Sequence, residues 1–133
     1  MKMIPIFRCR NMKEAISFYT GILDFELKDA DASSDDWVVA LKNGDAELLL
    51  TSLEGDQKFG IAANVLIQDI DKLFEKYLQR GLDTSNKEDS PVHQGPFNQS
   101  WGNREFYVTD EDGNTLRFIQ PLNDFDDPKE MNI

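Results

Sequence analysis

With 133 residues, 40% hydrophobic content and nine Phe, three Tyr and two Trp residues, the chain has the size of one domain and the apolar material for a real core, which argues against wholesale disorder. Its 25 acidic residues against 14 basic ones give a formal net charge of −11, a balance that disfavours nucleic-acid phosphates and anionic lipid as partners. The single cysteine, Cys9, excludes an intramolecular disulfide; no apolar run reaches the roughly 18 residues of a membrane span and Met1-Lys2 opens no signal-peptide pattern, so a cytoplasmic protein is expected.

In chain order, residues 3–9 read as a first strand, with Pro5 marking an edge or special position because proline cannot donate to a ladder. Asn11 has the character of a helix N-cap, with Glu14 in capping-box position, and Met12, Ala15, Ile16 and Tyr19 fall on one stripe of a helix that Gly21 ends. Three short strands follow, at 25–29, 36–42 and 46–52, the last two joined by a turn at Asn43-Gly44-Asp45.

After residues 53–58 the same order begins again. Residues 59–67 read as a strand, Asp69 as an N-cap, and Ile70, Leu73, Phe74, Tyr77 and Leu78 as the buried stripe of a second helix closed by Gly81. Residues 11–16 align with 69–74, and Gly44 aligns with Gly113, so the sequence contains two βαβββ modules, 1–55 and 56–122, of which the second carries about 11 extra residues. The fold class expected is α+β, a single domain followed by an acidic tail at 123–133. The extra residues fall in the irregular segment 84–100, a candidate lid or a plain connection.

The last two strands carry most information. In residues 101–120 a β-rich run from Arg104 to Thr109 and an alternating run from Thr115 to Ile119 flank Asp112-Gly113-Asn114, the composition of a hairpin. Leu116 and Phe118 point to one face; Thr115, Arg117 and Ile119 point to the other. The cluster Asp110, Glu111, Asp112 reads as a solvated turn.

This hairpin, Trp101-Gly102 followed by an aromatic-rich strand, the acidic turn and Leu116-Arg117-Phe118-Ile119-Gln120, resembles the closing hairpin of the vicinal oxygen chelate superfamily, the glyoxalase/bleomycin resistance protein/dioxygenase group, and within it the bleomycin-resistance branch. Glu111 stands where the family usually has Pro. The resemblance implies two modules with curved sheets enclosing a cleft, and a homodimer completing two such clefts.

Most enzymes of that family act through a divalent metal. The positions matching their metal ligands hold Ile4, Ala62 and Arg117 here: an alkyl chain, a methyl group and a cation, none of which binds a divalent ion. The single histidine, His93, reads as a solvated loop residue, and Cys9 as a small buried hydrophobe without a base. No catalytic residue, metal ligand or cofactor is therefore assigned, and the chain reads as a binder sooner than an enzyme.

If the helices cover Phe7, Leu48, Leu50, Val65, Ile67, Leu116 and Phe118, the opposite face presents Ile4, Ile6, Arg8, Glu47, Leu49, Thr51, Asn64, Leu66, Arg117 and Ile119, an apolar surface with a few polar groups. Trp37, Phe59, Phe97 and Trp101 are available to stack on a ligand, whereas Phe106 reads as core. The candidate ligand-binding set is Trp37, Glu47, Phe59, Asn64, Trp101 and Arg117. The function the resemblance implies is sequestration, without metal, of a cationic, aromatic, antibiotic-like molecule; Asp35, Asp36 and Glu47 would meet its charge, although Arg8 and Arg117 would suit an anion better unless Glu47 or Glu105 neutralises them. The alternative is a glyoxalase- or dioxygenase-like metalloenzyme with unorthodox ligands, such as Glu47 with a residue from 84–100.

Overall fold

A computed structural model describes residues 1–87 and 89–122, apart from the side chain of Asn86; the expected acidic tail lies outside the described residues. The elements run β1 (Ile6–Arg8), α1 (Met12–Gly21), β2 (Glu26–Leu27), β3 (Val38–Asn43), β4 (Ala46–Thr51), β5 (Ala62–Leu66), α2 (Ile70–Gln79), a 3-10 turn (Ser85–Lys87), α3 (Pro91–Gln94), β6 (Phe97–Asn98), β7 (Asn103–Thr109) and β8 (Thr115–Pro121). They form two four-stranded sheets ordered β1-β4-β3-β2 and β5-β8-β7-β6, so the βαβββ order occurs twice in an α+β fold. The chain divides into two compact units, one of Met1–Ala62 with Thr109–Thr115, the other of Ala63–Val108 with the described residues from Leu116 to Leu122.

In the first unit β1 runs parallel to β4, and β3 pairs antiparallel with both β4 and β2. Alternation buries Phe7, Leu48 and Leu50 on one face, where Tyr19 of α1 meets Phe7 at 6.3 Å between ring centroids and Phe25 at 5.8 Å. The start of α1 follows its local chemistry: Asn11 Oδ1 accepts the Glu14 N–H at 3.0 Å, which satisfies one of the free donors of the first turn.

The expectation of a solvated acidic turn between β7 and β8 is corrected for Asp110, whereas Glu111 is exposed. Asp110 accepts four hydrogen bonds, from Tyr19 Oη at 2.8 Å, from the Asp112 and Asn114 amides at 2.9 Å each, and from Asn114 Nδ2 at 3.1 Å. Burial is the largest influence on its carboxyl and holds it above the usual carboxylate range, against the pull of those bonds. Asn114 is fully buried; its Nδ2 also reaches the Arg8 carbonyl at 2.9 Å, and its Oδ1 accepts the Ile61 amide. Arg10 joins Asp112 at 2.9 Å. Gly113 has φ +87° and passes Gly60, whose Cα would lie 3.5 Å from an added Cβ, so the turn tip demands glycine for its backbone conformation.

In the second unit α2 covers the sheet face bearing Phe106 and Phe118, which stack at 4.8 Å, with Phe74 and Tyr77 edge-on to them at 5.0 Å and 5.6 Å. Each such ring removed from water contributes about 2–3 kcal/mol. Leu78, expected in the buried stripe, is 38% exposed. Asp69 precedes α2 as expected but makes no side-chain cap; it takes a left-handed conformation, and Gln120 Oε1 accepts the Ile70 amide at 2.8 Å instead. Arg104 forks onto Asp71 at 2.7 and 2.9 Å, and that hydrogen bonding is the first cause holding the Asp71 carboxyl below its ordinary range.

Two outcomes follow from this packing. Replacing Asp110 with Ala strands its donors, part-buried ones among them, and is expected to lower the unfolding free energy by about 2–4 kcal/mol in urea titrations; a loss below about 0.5 kcal/mol contradicts the hub assignment. Cys9 is 2% exposed, and burial, then the charges of Asp112 and Asp110, push its thiol up to about 11. Near pH 8 only about one thiol in a thousand is then ionised, so a disulfide reagent should leave the native protein untouched and titrate one thiol after denaturation. Rapid modification of the folded chain contradicts that burial.

Candidate functional site

The face of the second sheet turned away from α2 is built by alternation. On β7 the residues Phe106 and Val108 point into the core, which sends Asn103, Glu105 and Tyr107 the other way. On β8 the same rule buries Leu116 and Phe118 and turns out Arg117 and Ile119. With Asn64 of β5 and Trp101, which precedes β7, these side chains line a hollow of about 360 Å³.

Glu105 is the polar centre of this hollow and is only 3% exposed. Trp101 Nε1–H donates to its Oε2 at 2.8 Å, Asn103 Nδ2 to the same oxygen at 3.4 Å, and Tyr107 Oη to its Oε1 at 3.0 Å. All three partners are neutral donors, and Glu105 makes no ion pair among the described residues. Asn103 is 2% exposed, and its Oδ1 has no hydrogen-bond partner among the described residues, an uncommon state for a buried acceptor.

Tyr107 divides the hollow electrostatically. Its hydroxyl faces Glu105, while the Arg117 guanidinium lies over its ring at 4.9 Å from the centroid. Burial first, then the bond to Glu105, raise the phenol above its ordinary pKa, and Arg117 opposes that shift. Arg117 is exposed and has no carboxylate partner among the described residues. His93 of α3 packs edge-on to Tyr107 at 5.8 Å with Nδ1 2.8 Å from Ser90 Oγ. It is half-buried where a solvated loop residue was expected; burial and then Lys87 lower its pKa, which keeps the ring neutral near pH 7.

Of the six candidate residues, Asn64, Trp101 and Arg117 line this hollow. The other three belong to the first unit. Trp37 is 65% exposed and lines a different hollow of about 410 Å³ with Arg10, Lys13, Asp35 and Asp36. Glu47 is engaged by the ammonium groups of Lys2 and Lys28. Phe59 carries the guanidinium groups of Arg8 at 4.3 Å and Arg10 at 3.8 Å, so its ring serves the protein's own cations. Arg8 also donates to the Gln57 carbonyl at 3.2 Å, a structural role.

Asn103, Glu105, Tyr107 and Ile119 complete the hollow; Ile119 was on the expected face, and the other three were not among the candidates. Their signal was present in the i, i+2, i+4 spacing on β7 opposite Phe106 and Val108. Among the described residues, no three His, Cys, Asp or Glu side chains converge to hold a metal ion. The chemistry of Ile4, Ala62 and Arg117 does not fit a metal of the glyoxalase or dioxygenase kind, and no step through one is derived. Nor is any helix among the described residues long and apolar enough to cross a membrane.

Comparison with known proteins agrees with this architecture. A bleomycin-binding protein complexed with bleomycin superposes with a TM-score of 0.68 at 21% identity, over 90% of this chain and 98% of that one. A bleomycin resistance determinant encoded on transposon Tn5 gives 0.71 at 21% identity, over 92% and 99%. The bleomycin-binding protein of bleomycin-producing Streptomyces verticillus, complexed with copper(II)-bleomycin, gives 0.64 at 23% identity, over 89% and 93%. No curated protein matches the sequence. These likenesses establish a shared fold, and the sequence model of one family matches residues 5–118. The chain belongs to the Glyoxalase/Bleomycin resistance protein/Dioxygenase superfamily.

Proposed function

We propose that this protein binds and sequesters an antibiotic-like small molecule, aromatic and bearing a cationic or N–H-donating group, without changing it chemically. The observation that carries the reading is the Glu105 carboxyl, buried in a hollow of about 360 Å³, which among the described residues has neutral partners only and has beside it Asn103 Oδ1 without a donor. A buried acceptor pair of this kind favours a ligand that brings donors or positive charge, because the desolvation of the acceptors is already part of the folded state.

Trp101, 41% exposed at the edge of the hollow, and Tyr107 supply flat surfaces for a ring. The net charge of −11 draws cations toward the protein at low ionic strength. Three of the structural neighbours are bleomycin-binding or bleomycin resistance proteins, in keeping with a sequestering role. Two copies of the chain forming a homodimer in the cytoplasm complete the proposal.

The test is titration of metal-stripped protein with metal-free bleomycin, followed by tryptophan fluorescence and by heat. The expected outcome is a dissociation constant of about 1 μM or tighter, about −8 kcal/mol, at least about tenfold weaker in Trp101→Ala, with the drug recovered unaltered. Absence of saturable binding, or binding indifferent to Trp101→Ala, contradicts this reading.

A further inference from the structure

The hollow holds two unsatisfied demands of opposite kind. At its floor, among the described residues, Asn103 Oδ1 lacks a donor and the Glu105 carboxyl lacks a cation. Toward solvent, the Arg117 guanidinium lacks an anionic partner among the described residues. The two charged groups do not neutralise each other, because Tyr107 stands between them with its hydroxyl on Glu105 and its ring under Arg117.

Resting on the reading that this hollow is the ligand site, we infer that the ligand is a zwitterion: an ammonium or similar N–H donor seats against Asn103 and Glu105, and a carboxylate or similar anion on the same molecule seats against Arg117. A cation alone satisfies the floor and leaves Arg117 beside a second positive charge. An anion alone satisfies Arg117, leaves the floor acceptors stranded, and approaches against the field of a protein with net charge −11. A molecule carrying both groups meets every demand, and a charge-assisted contact at each end fixes its orientation.

Trp101 has a part in entry. Asn103 Oδ1 lies below the surface of the hollow, and the Trp101 indole N–H occupies Glu105 Oε2, the position a ligand N–H would take. The indole therefore yields its hydrogen bond when the ligand nitrogen arrives. This exchange replaces a neutral donor with a charged one, the stronger partner for a carboxylate.

The experiment uses Trp37→Phe protein, so that Trp101 is the sole tryptophan, and three probes sharing one ring: L-phenylalanine, phenethylamine, which lacks the carboxylate, and hydrocinnamate, which lacks the ammonium. Affinity is read by calorimetry, and the environment of Trp101 by fluorescence. Phenylalanine is expected to bind at least about tenfold more tightly than either truncated probe and to shift the Trp101 emission. Arg117→Met, a change at an exposed side chain, is expected to erase the advantage of phenylalanine over phenethylamine; Asn103→Leu, which leaves Glu105 in place, is expected to reduce its advantage over hydrocinnamate.

No saturable binding of phenylalanine, equal affinity for phenylalanine and phenethylamine, or an undiminished preference in Arg117→Met overturns the zwitterion assignment. Metal-free bleomycin titrated into the same protein separates the two levels. If bleomycin binds through Trp101 while the phenyl probes show no dependence on the carboxylate, the inference alone fails. If neither bleomycin nor the probes perturb Trp101, the hollow is not the ligand site and both fail.

Discussion

A carboxyl group buried on a β-strand has to find donors, and in the second unit the rest of the site is arranged around that need. Glu105 lies between Arg104 and the core residue Phe106 on β7, and alternation places it on the face opposite the aromatic layer of Phe74, Tyr77, Phe106 and Phe118. Trp101, Asn103 and Tyr107 answer it with neutral N–H and O–H groups. None cancels its charge. The arrangement satisfies hydrogen-bond geometry while leaving the electrostatic demand open, and the orphaned Asn103 Oδ1 next to it opens a second demand of the same sign. Folded proteins rarely leave buried acceptors short of donors unless something else supplies them.

In the first unit the corresponding constraint is the Asp110–Asn114 turn. One carboxylate and one carboxamide gather donors from Tyr19, Asp112, Ile61 and each other, and present Asn114 Nδ2 to the Arg8 carbonyl. The sequence contained the turn, since Asp112-Gly113 between two β-rich runs is hairpin chemistry. It did not contain the inward direction of Asp110, because an Asp in a turn is ordinarily solvated and Tyr19, which bonds its carboxyl, lies 91 residues away. The same limit applies to α2: the apolar stripe predicted the helix, yet its first amide is capped by Gln120, which local reading had no means to find.

Most of the fold was legible because its signals are short-range and repeated. Asn11 with Glu14, the stripes led by Met12 and Ile70, and the glycines at 44, 81 and 113 each mark an element boundary or face by chemistry within a few residues. The site was legible only in part. Asn64, Trp101 and Arg117 emerged from alternation and ring content, but Glu105 read only as a partner for an arginine, since a charged residue reads as exposed until its donors are known. Trp37, Glu47 and Phe59 share the residue types of a ligand site. What separates them is tertiary: Lys2 and Lys28 hold Glu47, and Arg8 and Arg10 cover Phe59.

Because the chain has two tryptophans, one in each hollow, the location of binding is directly observable. The decisive measurement is the nitrogen–proton correlation spectrum of the two indole groups as metal-free bleomycin is added to the labelled protein. The account predicts that the Trp101 indole resonance shifts as its hydrogen bond to Glu105 is exchanged, while the Trp37 resonance stays in place. A spectrum in which the Trp37 indole moves and that of Trp101 does not would contradict the assignment of the hollow around Glu105 as the ligand site.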